Sequence, residues 1–333
     1  VCAADMVLLF LALELISIPT YVLLYLGRAD APAQEAGAKY FFLSVLASAM
    51  FLYGLCFLYG ATGSTHIHVG AESLGRMLEA EGAAALAAGG WPITLLRIGG
   101  ALVFAGLGLK IAAVPFHFYA PDVYQGTTNT NAALLSVVPK AAGLLAMLRL
   151  LSLAMPLELV WAAQLWRVAA VLAVMSMTVA NVLALWQDNL RRLLAYSSIA
   201  HGGYMLIAVS VAMALGRQSD RWSALAALLV YLAVYAPATI GTFAVLVYLG
   251  RPGRPMENID ELAGLGRSRP LSAAVLAVLL LSLTGIPPLA GFWGKLAVFG
   301  SAVFADVSGG SGGKRLVRPL WGGGGVGAGV GGG

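Results

Sequence analysis

Charge is scarce in this 333-residue chain. Its 20 Lys and Arg and 15 Asp and Glu make up 11% of the residues, where a soluble domain carries about 25%, so they cannot clothe a water-facing surface of this size. Lipid must be the solvent for most of the chain. Cysteine is nearly missing too: Cys2 and Cys56 make neither a C-x-x-C pair nor a disulfide framework, and they assign no redox compartment. No basic patch is present. The formal net charge is +5, but the basic residues lie scattered between apolar runs, which argues against a nucleic-acid surface and fits a membrane topology signal. A phosphate-binding loop is also lacking. Ser308 stands where G-x-x-x-x-G-K-[ST] needs its first Gly, and Arg315 follows Lys314.

What is present is apolar sequence: 60% of residues are hydrophobic and the mean hydropathy is +0.86. A bilayer-crossing helix takes roughly 20 mostly apolar residues, because about 30 Å of hydrocarbon is covered at 1.5 Å per residue. Residues 40–71, 168–187, 193–216, 222–250 and 270–294 contain no Asp, Glu, Lys or Arg. With the apolar runs 6–27, 92–118 and 131–154 they predict about eight spans. These runs are too long, and alternate too weakly, for barrel strands. The expected fold is all-α, a polytopic transmembrane helical bundle over residues 1–304. Residues 305–333 are Gly-rich, with no periodic face to bury, and read as a disordered tail. Residues 72–86 read as a short surface helix, and His66 and His68 as a solvated loop without further metal ligands nearby. Asp5 is left without a role. Val1 is not Met and a span is already under way at Val7, so the sequence reads as a fragment with earlier spans missing.

Orientation follows from Lys and Arg in alternate connections. Arg28, Lys39, Arg191, Arg192, Arg251, Arg254, Arg267 and Arg269 fall in one set. The other set is poorer, with Arg76, Arg217 and Arg221 in its connections. The first span therefore ends on the cytoplasmic (or matrix) side.

Four ionisable residues lie inside spans: Glu14, Lys110, Lys140 and Lys295. A charge at the bilayer centre costs roughly 2.5–3.5 kcal/mol on insertion scales, so such groups usually face a hydrated interior and mark ion or proton pathways. Snorkelling from a helix end is the alternative for any one lysine. Lys140 escapes that reading, because it lies about ten residues, roughly 15 Å, into its span. Low-dielectric surroundings weaken an ammonium's hold on its proton and a nearby carboxylate strengthens it, so a glutamate that moves relative to a lysine switches proton affinity. His117 and His201 are the two span histidines, able to relay protons if they stand in line with the lysines.

Two spans read as interrupted. Residues 271–304 as one straight helix would extend about 51 Å, well beyond the hydrocarbon core, and Gly285-Ile286-Pro287-Pro288 breaks the ladder midway. Lys295 follows that break. Gly106, Gly108 and Pro115 flank Lys110 in the same manner. Unwound helix at membrane depth is tolerated where it lines a cavity, and paired interruptions in two halves point to a transport site. Pro237 reads as a kink. A weak internal echo also suggests two halves: Lys39 and Arg192 are each followed by Ser at +5, Ala at +8 and an aromatic at +12.

The segments LELISIPTYVL, EAGAKYFFLSVLASAMFLYG, KIAAVPFHFYAPDVYQGTT, SVVPKAAGLL, NLRRLLAYSSIAHGGYML and GIPPLAGFWGK together resemble the antiporter-like subunits of proton-translocating NADH-quinone oxidoreductase (respiratory complex I), most specifically the subunit N family. The resemblance covers residues 6 to about 304. It implies an antiporter-like bundle of about fourteen helices with inverted repeats and two interrupted helices. This chain would be truncated to the fifth through twelfth spans, with the Gly-rich tail in place of the last two. It further implies a proton-translocation set of Glu14, Lys110, Lys140 and Lys295, with His117 and His201 along a hydrated axis. The implied enzyme is NADH:quinone oxidoreductase, a translocase of the bacterial inner (plasma) membrane. The complex carries NADH, FMN, iron-sulfur clusters and quinone; this subunit holds no cofactor and no metal, and its partners are the other membrane-arm subunits and the lipid bilayer. Two other readings share the resemblance, a subunit of a multisubunit cation/proton antiporter and one of a membrane-bound hydrogenase complex. A structural bundle without transport is the third.

Overall fold

The computed structural model describes residues 3–67, 69, 91–154, 162–215, 221–250 and 256–304. The expected surface helix over 72–86, His68 and the Gly-rich segment 305–333 lie outside these residues. Among the described residues the chain is helical, with no β-strand beyond two isolated bridges, Asp5 with His66 and Asn189 with Asn258. In order, α1 is Met6–Gly27, α2 Ala31–Thr62 and α3 Trp91–Lys110. A 3-10 turn, Phe116–Tyr119, leads into the short α4, Ala120–Gly126. Then come α5 (Asn129–Ala154), α6 (Ala162–Ala184), α7 (Leu190–Leu215) and α8 (Arg221–Leu249). A 3-10 turn, Ile259–Leu262, and the one-turn α9, Leu265–Ser268, precede α10 (Pro270–Thr284) and α11 (Ala290–Phe304).

Among the described residues six helices, α1, α2, α5, α6, α7 and α8, are long and apolar enough to cross a membrane, and α10 and α11 are shorter apolar helices; the expected run 92–118 falls on α3 and the turn after it. One boundary is corrected: the second span starts at Ala31, so Lys39 lies inside a helix and not in a connection. Asp30 caps this helix, accepting from the Ala33 amide at 3.2 Å, and Pro32 suits the first turn, where no amide donor is needed. Asp5 acquires a role. Its carboxylate caps α1, accepting from the Val7 amide at 2.7 Å, and accepts the Thr65 hydroxyl at 2.6 Å. That hydroxyl is the main reason the Asp5 carboxyl is held below its ordinary range. Pro237 sits inside a continuous α8.

Large apolar side chains face outward, among them Leu15, Leu26, Trp186 and Leu271, each more than 70% exposed. In a bilayer these faces meet acyl chains as apolar as themselves, so the helices are held together by close packing and hydrogen bonds. Gly106 illustrates the packing of α3 on α2: a Cβ there would lie 2.7 Å from the Ala47 carbonyl oxygen. The most enclosed helix is α7, buried along most of its length from Leu190 to Leu215. It packs along α6 and touches α4, α5, α8 and α11, so its polar residues face other helices instead of lipid.

Candidate functional site

Both interruptions are present. After Lys110 the ladder continues only through the Ile111, Ala112 and Ala113 amides, which reach back to Leu107, Leu109 and Gly108. Ala112 then takes a left-handed φ of +57°, and Val114–Pro115 is cis. The Val114 amide finds the Ser176 hydroxyl of α6 at 2.9 Å. In the second interruption α10 ends at Gly285, φ +84°, whose amide bonds back to Leu281 and Ser282. A residue without a Cβ fits there, both for that φ and because a Cβ would press on the Lys295 side chain at 2.9 Å. Pro287–Pro288 is also cis.

Lys110 ends α3, with its side chain 6% exposed. Its ammonium donates to Glu14 Oε1 at 3.0 Å and to Ser17 Oγ at 2.8 Å. Ser48 of α2 donates to the same Glu14 oxygen. The fifth and seventh spans that the resemblance implied thus meet as an ion pair. Beside it lie two small cavities of about 20 Å³ each, room for about one water apiece. The first is lined by Ser17, Ser44, Tyr40 and Lys110. The second shares Tyr40 and Lys110 and continues to Lys140.

Lys140 lies midway along α5 and is 4% exposed. Its ammonium donates to the carbonyl and to the hydroxyl of Ser198 on α7. Ser198 Oγ lies 2.8 Å from the Tyr235 hydroxyl, which donates to the Ser136 carbonyl at 3.2 Å. One turn beyond Ser198, His201 is buried, with Nδ1 2.5 Å from the Tyr231 hydroxyl and the ring against Tyr204 and Tyr235. Lys295, on α11, places its ammonium 4.7 Å from the centre of the Tyr204 ring and donates to the Thr284 carbonyl at 2.9 Å. Glu14, Lys110, Lys140 and His201 therefore lie in a row within the bundle, linked by cavities, hydroxyls and rings, and Lys295 reaches that row through the Tyr204 ring from a partly exposed position. His117 stands apart: its Nδ1 is buried without a hydrogen-bond partner in the turn after the first break.

Several members of the row were not legible in the sequence. Ser17, Ser48 and Ser198 are hydroxyls in apolar runs, where serine usually satisfies its own helix. Tyr231 and Tyr235 are four apart, which places them on one face of α8, and that spacing was the available signal. Asp122 and Glu257 were passed over because they sit near span ends, where charge is ordinary. The echo at Lys39 and Arg192 has a spatial counterpart, since both cations grip Asp122 at 2.6 Å. Among the described residues no group of three or more His, Cys, Asp or Glu converges as a metal site.

This arrangement can accept, store and pass protons between amines at membrane depth. Known proteins resemble the chain over most of its length. Residues 3–309 match the family model described as NADH:quinone oxidoreductase/Mrp antiporter, transmembrane. NADH-quinone oxidoreductase subunit N of Trichlorobacter lovleyi is 42% identical over 304 residues, 91% of this chain and 58% of that protein. The chain thus spans less than two thirds of the length of such relatives. A chain in the structure of respiratory complex I from Thermus thermophilus with bound aureothin is 37% identical with a TM-score of 0.70, covering 93% of this chain and 61% of that one. The membrane-bound sulfane sulfur reductase, an archaeal respiratory membrane complex, contains a chain 28% identical with a TM-score of 0.77, covering 91% and 57%.

Proposed function

Because the chain belongs to the NADH:quinone oxidoreductase/Mrp antiporter transmembrane family, we propose that it is part of a proton-translocating membrane-arm subunit of NADH-quinone oxidoreductase. Protons enter near Glu14 and Lys110, pass to Lys140, continue by His201 and leave at Lys295, with His117 beside the first break. The observation that carries this reading is the row of ionisable groups, above all the buried Lys140, which sits at mid-span with its ammonium on Ser198. Leaving an amine there without a transport role would incur the burial cost and gain nothing for packing.

The mechanism needs only a change in distance. With Glu14 in contact, Lys110 keeps its proton; as the carboxylate withdraws, low dielectric favours the neutral amine, and the cavity between Lys110 and Lys140 takes the proton onward. NADH, FMN, iron-sulfur clusters and quinone belong to other subunits of the complex on this reading, and the energy arrives through contacts with neighbouring membrane-arm subunits. On this reading the assembly lies in the plasma membrane, a location supported by the bacterial origin of the relatives.

Vesicles containing the complex with the full-length protein test it. Lys140→Met is expected to abolish most NADH-driven proton uptake while the complex still assembles. Unchanged uptake would leave a structural bundle as the better account. A cation/proton antiporter subunit is the alternative, since the family includes those proteins; proton movement that proceeds without NADH or quinone would favour it.

A further inference from the structure

Resting on the reading above, we propose that Asp122 is a positioning residue for Lys110, fixing the half-helix beyond the first break by a two-cation clamp. Asp122 lies in the first turn of α4. Its Oδ2 accepts from Lys39 of α2 and its Oδ1 from Arg192 of α7, both at 2.6 Å. Arg192 is itself braced, donating to Gln125 Oε1 at 2.9 Å and to Gln187 Oε1 at 3.0 Å. Its neighbour Arg191 is buried, donating to the Thr127 carbonyl just past α4 and to Glu257 at 2.6 Å. Glu257 also accepts from Arg28 at the end of α1, 3.1 Å away. Two consecutive arginines at the start of α7 thus tie both ends of α4 to the rest of the bundle.

The clamp has a route to Lys110. Tyr119, immediately before α4, donates its hydroxyl to the Leu109 carbonyl at 2.8 Å, so the position of α4 bears on the last turn of α3. Between them Ala112 holds a left-handed φ, a conformation that persists for a residue with a Cβ only where the surroundings dictate it. Asp122 supplies that restraint on one side of the break. A topology signal alone would require positive charge at this face but not a shared carboxylate joining three helices.

Asp122→Asn keeps the shape and removes the charge. In the assembled complex with the full-length protein, amide hydrogen exchange over residues 120–126 is expected to accelerate about tenfold, and protons taken up per NADH oxidised to fall about threefold. Asp122→Glu is expected to recover at least half of both. Unchanged exchange in Asp122→Asn overturns the proposal, as does faster exchange with an undiminished proton yield, which would leave a purely structural clamp. If Asp122→Asn prevents assembly, Lys39→Gln removes one of the two cations and the same two outcomes decide. Pumping that survives Lys140→Met would sink the functional reading while leaving the exchange result standing.

Discussion

In the first interrupted span the lysine ends the leading half-helix, whereas in the second it sits in the second turn of the trailing half. Lys110 faces a carboxylate, Glu14, and two serines of α1 and α2 surround that pair. Lys295 has a carbonyl and an aromatic face instead, and no carboxylate within ion-pair distance among the described residues. The backbone differs as well: of the five residues between Lys110 and the following 3-10 turn, Ala112 is held at φ +57°, whereas the five residues between α10 and α11 begin with a glycine at φ +84°. One break thus sets its lysine against a carboxylate, and the other holds its ammonium by neutral groups; on the proposed reading, the first suits a step governed by a moving charge and the second suits release.

The sharpest way to break this comparison is Glu14→Gln. It leaves Lys110 buried without its counter-charge, and a loss of at least about tenfold in NADH-driven proton uptake is expected. Equal tolerance of Glu14→Gln and of Lys295→Met in vesicle assays would erase the distinction between the two breaks. Next is Gly285→Ala, which adds a Cβ at positive φ and against Lys295. A stability loss of about 1–2 kcal/mol is expected, read as a lower thermal midpoint together with slower pumping. Ala112→Gly is the mirror experiment. Relieving the left-handed alanine should stabilise the protein by up to about 1 kcal/mol; a lower midpoint would mean that the first break is not strained. The smallest effect belongs to Asp5, outside both breaks. Asp5→Asn should lower stability modestly at neutral pH. Because the folded carboxyl is held below 3.8, its contribution is present above that value and fades as pH falls beneath it, so denaturation midpoints of variant and parent should converge in acid.

Much of this was legible in the chain, for identifiable reasons. A lysine inside twenty apolar residues is conspicuous, and Gly-Ile-Pro-Pro within an overlong run can only be a break. Partnerships were harder to read. Lys39 passed for a connection residue because a charge usually ends a span, yet it sits within α2, paired with Glu35 one turn back and with Asp122 across the bundle. Asp122 gives no local sign, since its two cations come from residues 83 and 70 positions away. Tyr231 and Tyr235 read as ordinary wall of an apolar helix until α7 and α8 are placed side by side. His117, read in the sequence as a relay, lies in the turn after the first break with its Nδ1 buried and without a hydrogen-bond partner.

The hydroxyls around Lys140 form a junction with more than one setting. The Tyr235 hydroxyl has both the Ser136 carbonyl at 3.2 Å and Ser198 Oγ at 2.8 Å within reach, and an ammonium has only hydrogens to give, so towards a charged Lys140 the serine presents a lone pair. On the proposed reading, the same serine turns its hydrogen towards the amine once Lys140 is neutral, and the row reorients with each turnover.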